Sequence, residues 1–111
     1  MSSTPNNHFV IRARDLPNSR RKEFLEAHMT YIGPLIARGD LVTVALLLPE
    51  GAQSSEVKDA GDVAVGVIIT LRAESVDAVW EVVHNDPFYK SGEVYDRSTV
   101  TVEPVYIVLK N

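Results

Sequence analysis

The chain has 111 residues, a net charge of −4, and 45% apolar and 23% charged residues. This length suits one domain with its own hydrophobic core. The chain contains no cysteine, which excludes disulfides, thiol catalysis and cysteine-ligated metal sites and fits a reducing compartment, so we expect a cytoplasmic protein. Lysine and arginine are scattered and the apolar runs are short, so we expect neither nucleic acid nor a membrane as a partner.

The first half of the chain predicts a polar tail, a strand and a long helix. Residues 1–7 are polar and predict a disordered tail, which leaves residues 8–111 as a single domain. Residues 8–14 ("HFVIRAR") predict the first strand. A helix capped by Asn18 or Ser19 and ended by Gly39 follows. Its apolar stripe consists of Phe24, Ala27, His28, Tyr31, Ile32 and Leu35.

Proline interrupts this first helix at Pro34. Proline cannot donate to the carbonyl of Thr30, so the sequence predicts a kink or break at residues 32–34, with Pro34 starting a second segment. Two interpretations stay open: a tolerated kink, or a kink that opens a gap beside Tyr31.

Residues 41–73 predict two strands and a loop. The apolar residues 41–49 predict the second strand, the small and polar residues 50–62 a loop, and residues 63–73 the third strand.

The last third predicts a helix and a strand. Ser75 caps the second helix and Pro87 ends it. Residues 98–111 predict the fourth strand, in which Pro104 marks an edge or a bulge. The order βαββαβ predicts an α+β fold, the ferredoxin-like sandwich, with a four-stranded antiparallel sheet and both helices on one face.

Two of the predicted strands are apolar at consecutive positions, "VALLL" at 44–48 and "VYIVL" at 105–109. A sheet covered by helices on one face should alternate apolar and polar residues. The pattern therefore predicts a homodimer in which the two sheets pack face to face.

Three residues are candidates for chemistry. His28 lies on an apolar stripe, where it is either a buried histidine bonded to a backbone carbonyl or a base oriented by a carboxylate. Asp86 either supplies that carboxylate or caps the turn after Pro87. His84 is interpreted as structural or exposed, because the spacing of His28, His84 and Asp86 matches no strong metal motif.

Three segments resemble one known family: residues 26–43 ("EAHMTYIGPLIARGDLVT"), 66–83 ("GVIITLRAESVDAVWEVV") and 85–94 ("NDPFYKSGEV"). Together they are similar to the YciI-like (YCII-related) family of the dimeric α+β barrel superfamily. The resemblance implies face-to-face dimers and a histidine–aspartate pair in a cleft, here His28 and Asp86.

The sequence departs from the family pattern at two places. Leu25 stands where many members have an arginine, and "VALLL" stands where many have Gly-Pro. The departures indicate a more apolar pocket and remove the arginine that would hold an anionic substrate. Arg12, or else Arg20 and Arg21, are the candidates to replace it.

The sequence therefore predicts a cofactor-independent acid–base enzyme acting on a small enolisable or aromatic molecule, of the isomerase, lyase, dehydrohalogenase or decarboxylase type. His28 is the predicted base and Asp86 its partner, with neither metal nor cofactor. Tyr31, Phe88 and Arg12 are the predicted substrate contacts. One alternative is a non-catalytic dimeric small-molecule-binding or accessory module, with His28 sealed in the core. The other is a metal-dependent lyase or oxygenase.

Overall fold

The computed structural model describes residues 7–111, so residues 1–6 of the predicted tail lie outside the described residues. The strands are β1 (Asn7–Asp15), β2 (Leu41–Leu47), β3 (Gly66–Ala73) and β4 (Tyr95–Val105). The α-helices are α1 (Arg21–Ala37), α2 (Ala60–Val63), α3 (Val76–Asn85) and α4 (Pro87–Lys90), and Ser54–Glu56 forms one 3₁₀ turn. Within residues 7–111, no helix has the length and apolarity needed to cross a bilayer.

The four strands form one antiparallel sheet in the order β2-β3-β1-β4. With α1 and α3 as the crossovers, this is the ferredoxin-like sandwich that the sequence predicted. The central strand β1 alternates strictly: Phe9, Ile11 and Ala13 are buried among the core residues, whereas Arg12 and Arg14 are exposed. One face of the sheet therefore forms the core with the helices.

Helix α1 is continuous through Pro34, so the predicted break and the second segment are wrong. A proline ring disfavours helical backbone in the preceding residue mainly by crowding its N–H and Cβ. Here that residue is Gly33, which has no Cβ. Gly39 ends the helix as predicted, with φ of 75° and its N–H donating to the carbonyl of Ile36 at 3.0 Å.

The start of α1 differs from the prediction. Its N-cap is Arg20, which makes no side-chain capping bond, so the predicted caps Asn18 and Ser19 are wrong. Backbone hydrogen bonds hold this segment instead: the N–H of Leu16 donates to Val94, and that of Arg20 to Glu93. Residues 16–20 are therefore bonded to the chain before β4, and the helix begins at Arg21.

Two strand boundaries are corrected as well. Residues 60–63 form α2, capped by the carboxylate of Asp59, so β3 begins at Gly66 rather than at residue 63. The chain leaves the sheet after Val105, which pairs with His8 near the start of β1. No described strand lies beside residues 106–111, and their apolar run is not part of the sheet.

Candidate functional site

Asp86 lies at the corner where α3 ends and α4 begins. Its backbone is extended, with φ of −69° and ψ of 129°, and Pro87 occupies the first position of α4. The Oδ1 atom of Asp86 accepts a hydrogen bond of 2.9 Å from the N–H of Phe88. The capping role predicted as one alternative for Asp86 is therefore present.

The same carboxylate oxygen also binds His28. Nδ1 of His28 lies 2.8 Å from Oδ1 of Asp86, and the two residues are 8% and 7% exposed. A carboxylate acceptor favours the tautomer with the proton on Nδ1, which leaves Nε2 as the basic nitrogen. No hydrogen bond joins Nε2 to any of residues 7–111, and Nε2 is not among the buried unpaired polar atoms. Two side chains 58 positions apart thus form a histidine–carboxylate pair.

Phe88 fixes the plane of the imidazole. The rings of His28 and Phe88 are stacked, with centroids 3.9 Å apart and an interplanar angle of 1°. Phe88 is itself fully buried and meets the ring of Tyr95 edge to face at 5.6 Å. The His28 ring is held at Nδ1 and on one face, so its orientation is set by the fold.

A cavity adjoins the histidine. Its inner part, about 70 Å³, is lined mainly by aliphatic side chains from α1 and the sheet, with Asp86 and Tyr95 at its polar end. An outer cleft of about 540 Å³ continues between α1 and β2, with α2 at its edge. Both parts are lined by Arg21, His28, Ile32, Val44 and Leu46. The binding-module alternative predicted a His28 sealed in the core. The cavity beside His28 does not agree with that prediction.

Arg21 is the cation that lines both parts of this cavity. Its Nε and Nη2 atoms donate to the two carboxylate oxygens of Asp15 at 2.8 and 2.6 Å. Its Cζ atom lies 4.9 Å from the centroid of the Phe88 ring. Burial lowers the pKa of Arg21, but the hydrogen bond and the charge of Asp15 outweigh it and raise the pKa above its ordinary value. The guanidinium therefore stays charged.

Two predicted substrate contacts are not brought to this cavity. The hydroxyl of Tyr31 donates to the carbonyl of Val82 at 2.9 Å, and its side chain lines a groove between α1 and α3 instead. Arg12 is exposed, and strand alternation places it on the sheet face opposite His28. Phe88 does line the outer cleft.

The sequence offered Arg21 only as an alternative to Arg12, and Tyr95 was not among the predicted substrate contacts. Arg21 lies about two helical turns before His28, which puts both on one face of α1. That spacing is the sequence signal that could have selected Arg21 over Arg12.

His84 lies away from the pair. It is exposed, and its ring is tilted against Trp80 and Tyr89 at centroid distances of 5.4 and 5.1 Å. Within residues 7–111, no group of three or more histidine, cysteine or acidic residues could hold a metal ion. The metal-dependent alternative thus has no donor set in the described part of the chain.

Comparisons with known proteins place this geometry in context. The model of the YCII-related domain family matches residues 8–103. Among solved structures, the chain is similar to 5-chloro-2-hydroxyhydroquinone dehydrochlorinase (TftG) from Burkholderia phenoliruptrix AC1100, in complex with 2,5-dihydroxybenzoquinone. The identity is 30% and the TM-score 0.74, over 89% of this chain and 93% of that one. No curated protein matches.

Proposed function

Because the chain belongs to the YCII-related domain family, we propose that it is a cofactor-independent enzyme that moves a proton on a small enolisable or aromatic molecule. The observation that carries the proposal is the 2.8 Å bond between His28 and Asp86 beside an open cleft. A buried imidazole needs a partner for its N–H, but it does not need a cavity next to its other face. The cavity is what favours catalysis over a structural role.

In this proposal, Nε2 of His28 takes a proton from a hydroxyl or an acidic carbon of the substrate. The bonding electron pair stays on the substrate as a phenolate or enolate, and the proton makes the imidazole cationic. Asp86 stabilises that cation through Nδ1. Return of the proton to a carbon completes an isomerisation to the ketone. From a ketone that carries a halide on that carbon, loss of a hydroxyl proton to His28 and departure of the halide with its bonding pair complete an elimination. Neither route needs an electron acceptor.

The similarity to TftG supports the substrate class. That protein is named for removal of the elements of hydrogen chloride from a chlorinated hydroxyhydroquinone. The cleft of this chain has mostly apolar walls, which suits a small ring compound, and the polar side chains of its inner part are Arg21, His28, Asp86 and Tyr95. We therefore place a hydroxylated aromatic or enolic ring first among the substrate classes. The cytoplasmic location stays a prediction.

The test uses 5-chloro-2-hydroxyhydroquinone and follows chloride release. His28→Gln and Asp86→Asn should each lower kcat/KM by about 10²- to 10⁴-fold, the usual contribution of a positioned base. Asparagine keeps an oxygen that can cap α4, so Asp86→Asn should stay folded. His84→Gln is the matched control and should retain turnover. A folded His28→Gln variant with wild-type turnover would rule out His28 as the base.

We also propose that the chain forms a homodimer through the open sheet face and the C-terminal segment. Tyr106, Val108 and Leu109 are 89%, 90% and 80% exposed, and a hollow lies between the start of β1 and this segment. So much exposed apolar surface is typical of an interface. Light scattering should give twice the chain mass for the wild type. Val108→Glu with Leu109→Glu should give a monomer and the exposed control Lys58→Glu a dimer; a monomeric wild type would contradict the proposal.

A further inference from the structure

The proposed proton transfer leaves a negative charge on the substrate, and one side chain is placed to hold it. When a neutral imidazole removes a proton from a hydroxyl, the oxygen becomes an anion inside a largely apolar cavity. Such an anion is stabilised by fixed donors directed at it. Arg21 is the one lysine or arginine that lines the inner cavity, as far as residues 7–111 describe it.

The donors of Arg21 are only partly used. A guanidinium has five N–H groups, and the bonds to Asp15 use the Nε–H and one Nη2–H. No hydrogen bond joins the remaining N–H groups to residues 7–111, and Nη1 is not among the buried unpaired atoms. Asp15 fixes one edge of the planar group and leaves the rest available to a ligand.

Arg21 and His28 border the same space. Both side chains line the inner cavity and the outer cleft, and both contact the ring of Phe88, by stacking from His28 and at 4.9 Å from the Cζ atom of Arg21. Tyr95 lines the same cavity. Burial, and then the charge of Asp86, raise the pKa of Tyr95, so its phenol stays protonated and brings no second negative charge.

We propose that Arg21 binds the negatively charged oxygen that forms on the substrate when His28 takes its proton. This inference rests on the proposed function and narrows it: the substrate carries an oxygen on which the negative charge of a phenolate or an enolate is placed. Asp15 is then a positioning residue, which holds the guanidinium at the cavity wall. The rival role for Arg21 is a buried ion pair that ties α1 to β1 and contacts no ligand.

The two roles of Arg21 predict different relative affinities for two ligands that share the same ring. 4-Nitrophenolate carries an ionised oxygen, whereas 4-nitroanisole carries a neutral methoxy group in its place. Calorimetry at a pH at which the phenol is ionised should show that the wild type binds the phenolate about tenfold or more tightly than the anisole, as expected for a charge-assisted hydrogen bond. Equal affinities would overturn the proposal.

The decisive variant removes both charges of the ion pair, so that neither is left buried alone. Arg21→Gln with Asp15→Asn should lose the preference for phenolate and keep its affinity for the anisole. Asp15→Asn alone keeps the guanidinium and one oxygen acceptor for it, so it should keep part of the preference. Arg20→Gln, a change of the exposed neighbouring arginine, is the matched control and should bind both ligands as the wild type does. A folded double variant that still prefers the phenolate would overturn the proposal.

A second measurement needs no substitution. The side-chain N–H resonances of Arg21 should shift on titration of the wild type with 4-nitrophenolate and stay in place with 4-nitroanisole. Unshifted resonances at saturating phenolate would overturn the proposal even if the double variant does not fold.

The variant His28→Gln separates this inference from the proposed function. It retains Arg21 and should therefore keep the preference for phenolate while it loses turnover. If His28→Gln loses turnover and the wild type shows no preference for the phenolate, the role of Arg21 is ruled out and His28 remains the proposed base. If the wild type prefers the phenolate and His28→Gln keeps full turnover, His28 is ruled out as the base and Arg21 remains the proposed anion-binding residue.

Discussion

The corner between α3 and α4 has two sides, and each carries a histidine against an aromatic ring. On the inner side, His28 stacks on Phe88 at 3.9 Å and binds the carboxylate of Asp86. On the outer side, His84 is tilted against Tyr89 at 5.1 Å and is exposed. The residue types match closely, whereas the surroundings of the two histidines differ.

Burial and a carboxylate partner distinguish the inner histidine from the outer one. His84 is two residues from Asp86 in sequence, but the carboxylate binds the histidine 58 positions away. Around His28 the low local dielectric strengthens the bond to Asp86, and packing holds the ring in one orientation. His84 is exposed to water and has no carboxylate partner among residues 7–111. The topology of the chain therefore decides which histidine binds Asp86, and closeness in sequence does not.

The largest expected effect on stability tests the packing half of this comparison. Phe88 is fully buried, so Phe88→Ala should lower the free energy of unfolding by about 3–5 kcal/mol. Tyr89→Ala, on the outer side, leaves a half-buried site and should cost less than half as much. Urea unfolding followed by circular dichroism measures both. Equal losses would mean that the two sides of the corner are packed alike.

The sequence predicted the parts of this site that depend on local signals. Ser75 caps α3 as expected, accepting a hydrogen bond from the N–H of Ala78 at 3.2 Å. Gly39 ends α1, and the Asp86-Pro87 pair forms the corner. The order of the elements then brings α1 beside that corner, and the resemblance to the YCII-related family selected His28 and Asp86 as the pair.

The features that the sequence did not predict depend on contacts between distant segments. The apolar residues 106–109 resembled a strand because the pattern does not show whether a partner strand is in reach. A charged residue in the first turn of a helix is usually exposed, whereas Arg21 is partly buried and pairs with Asp15 at the end of β1. Arg12 was chosen from its position near a strand end, and the alternation of β1 directs it to the other face.

A smaller effect separates the two roles of Asp86. Asp86→Ala removes the cap of α4 and leaves Nδ1 of His28 without its acceptor, whereas Asp86→Asn keeps an oxygen for both. We expect the alanine variant to be less stable than the asparagine variant by about 2 kcal/mol. Asn85→Ala, an exposed change next to it, should alter the free energy of unfolding by less than about 0.5 kcal/mol. Equal stability of the two Asp86 variants would mean that neither bond contributes in solution.

The smallest effect concerns the pH dependence of the inner side. Burial, followed by the charge of Asp86, raises the pKa of Tyr95 in the folded protein above the value of about 10 expected in the unfolded chain. Above about pH 10 the unfolded chain releases this proton while the folded protein keeps it, so the unfolded state binds fewer protons and stability falls with rising pH, by at most about 1.4 kcal/mol per pH unit. Below about pH 9 Tyr95 keeps its proton in both states, so it adds no pH dependence to the stability.

Tyr95→Phe should therefore show a shallower loss of stability than the wild type between about pH 10 and about pH 11. Tyr106→Phe, whose ring is exposed, should keep the wild-type slope. The same slope in all three proteins would place the phenol of Tyr95 in contact with water, and the inner cavity would then be wet rather than apolar.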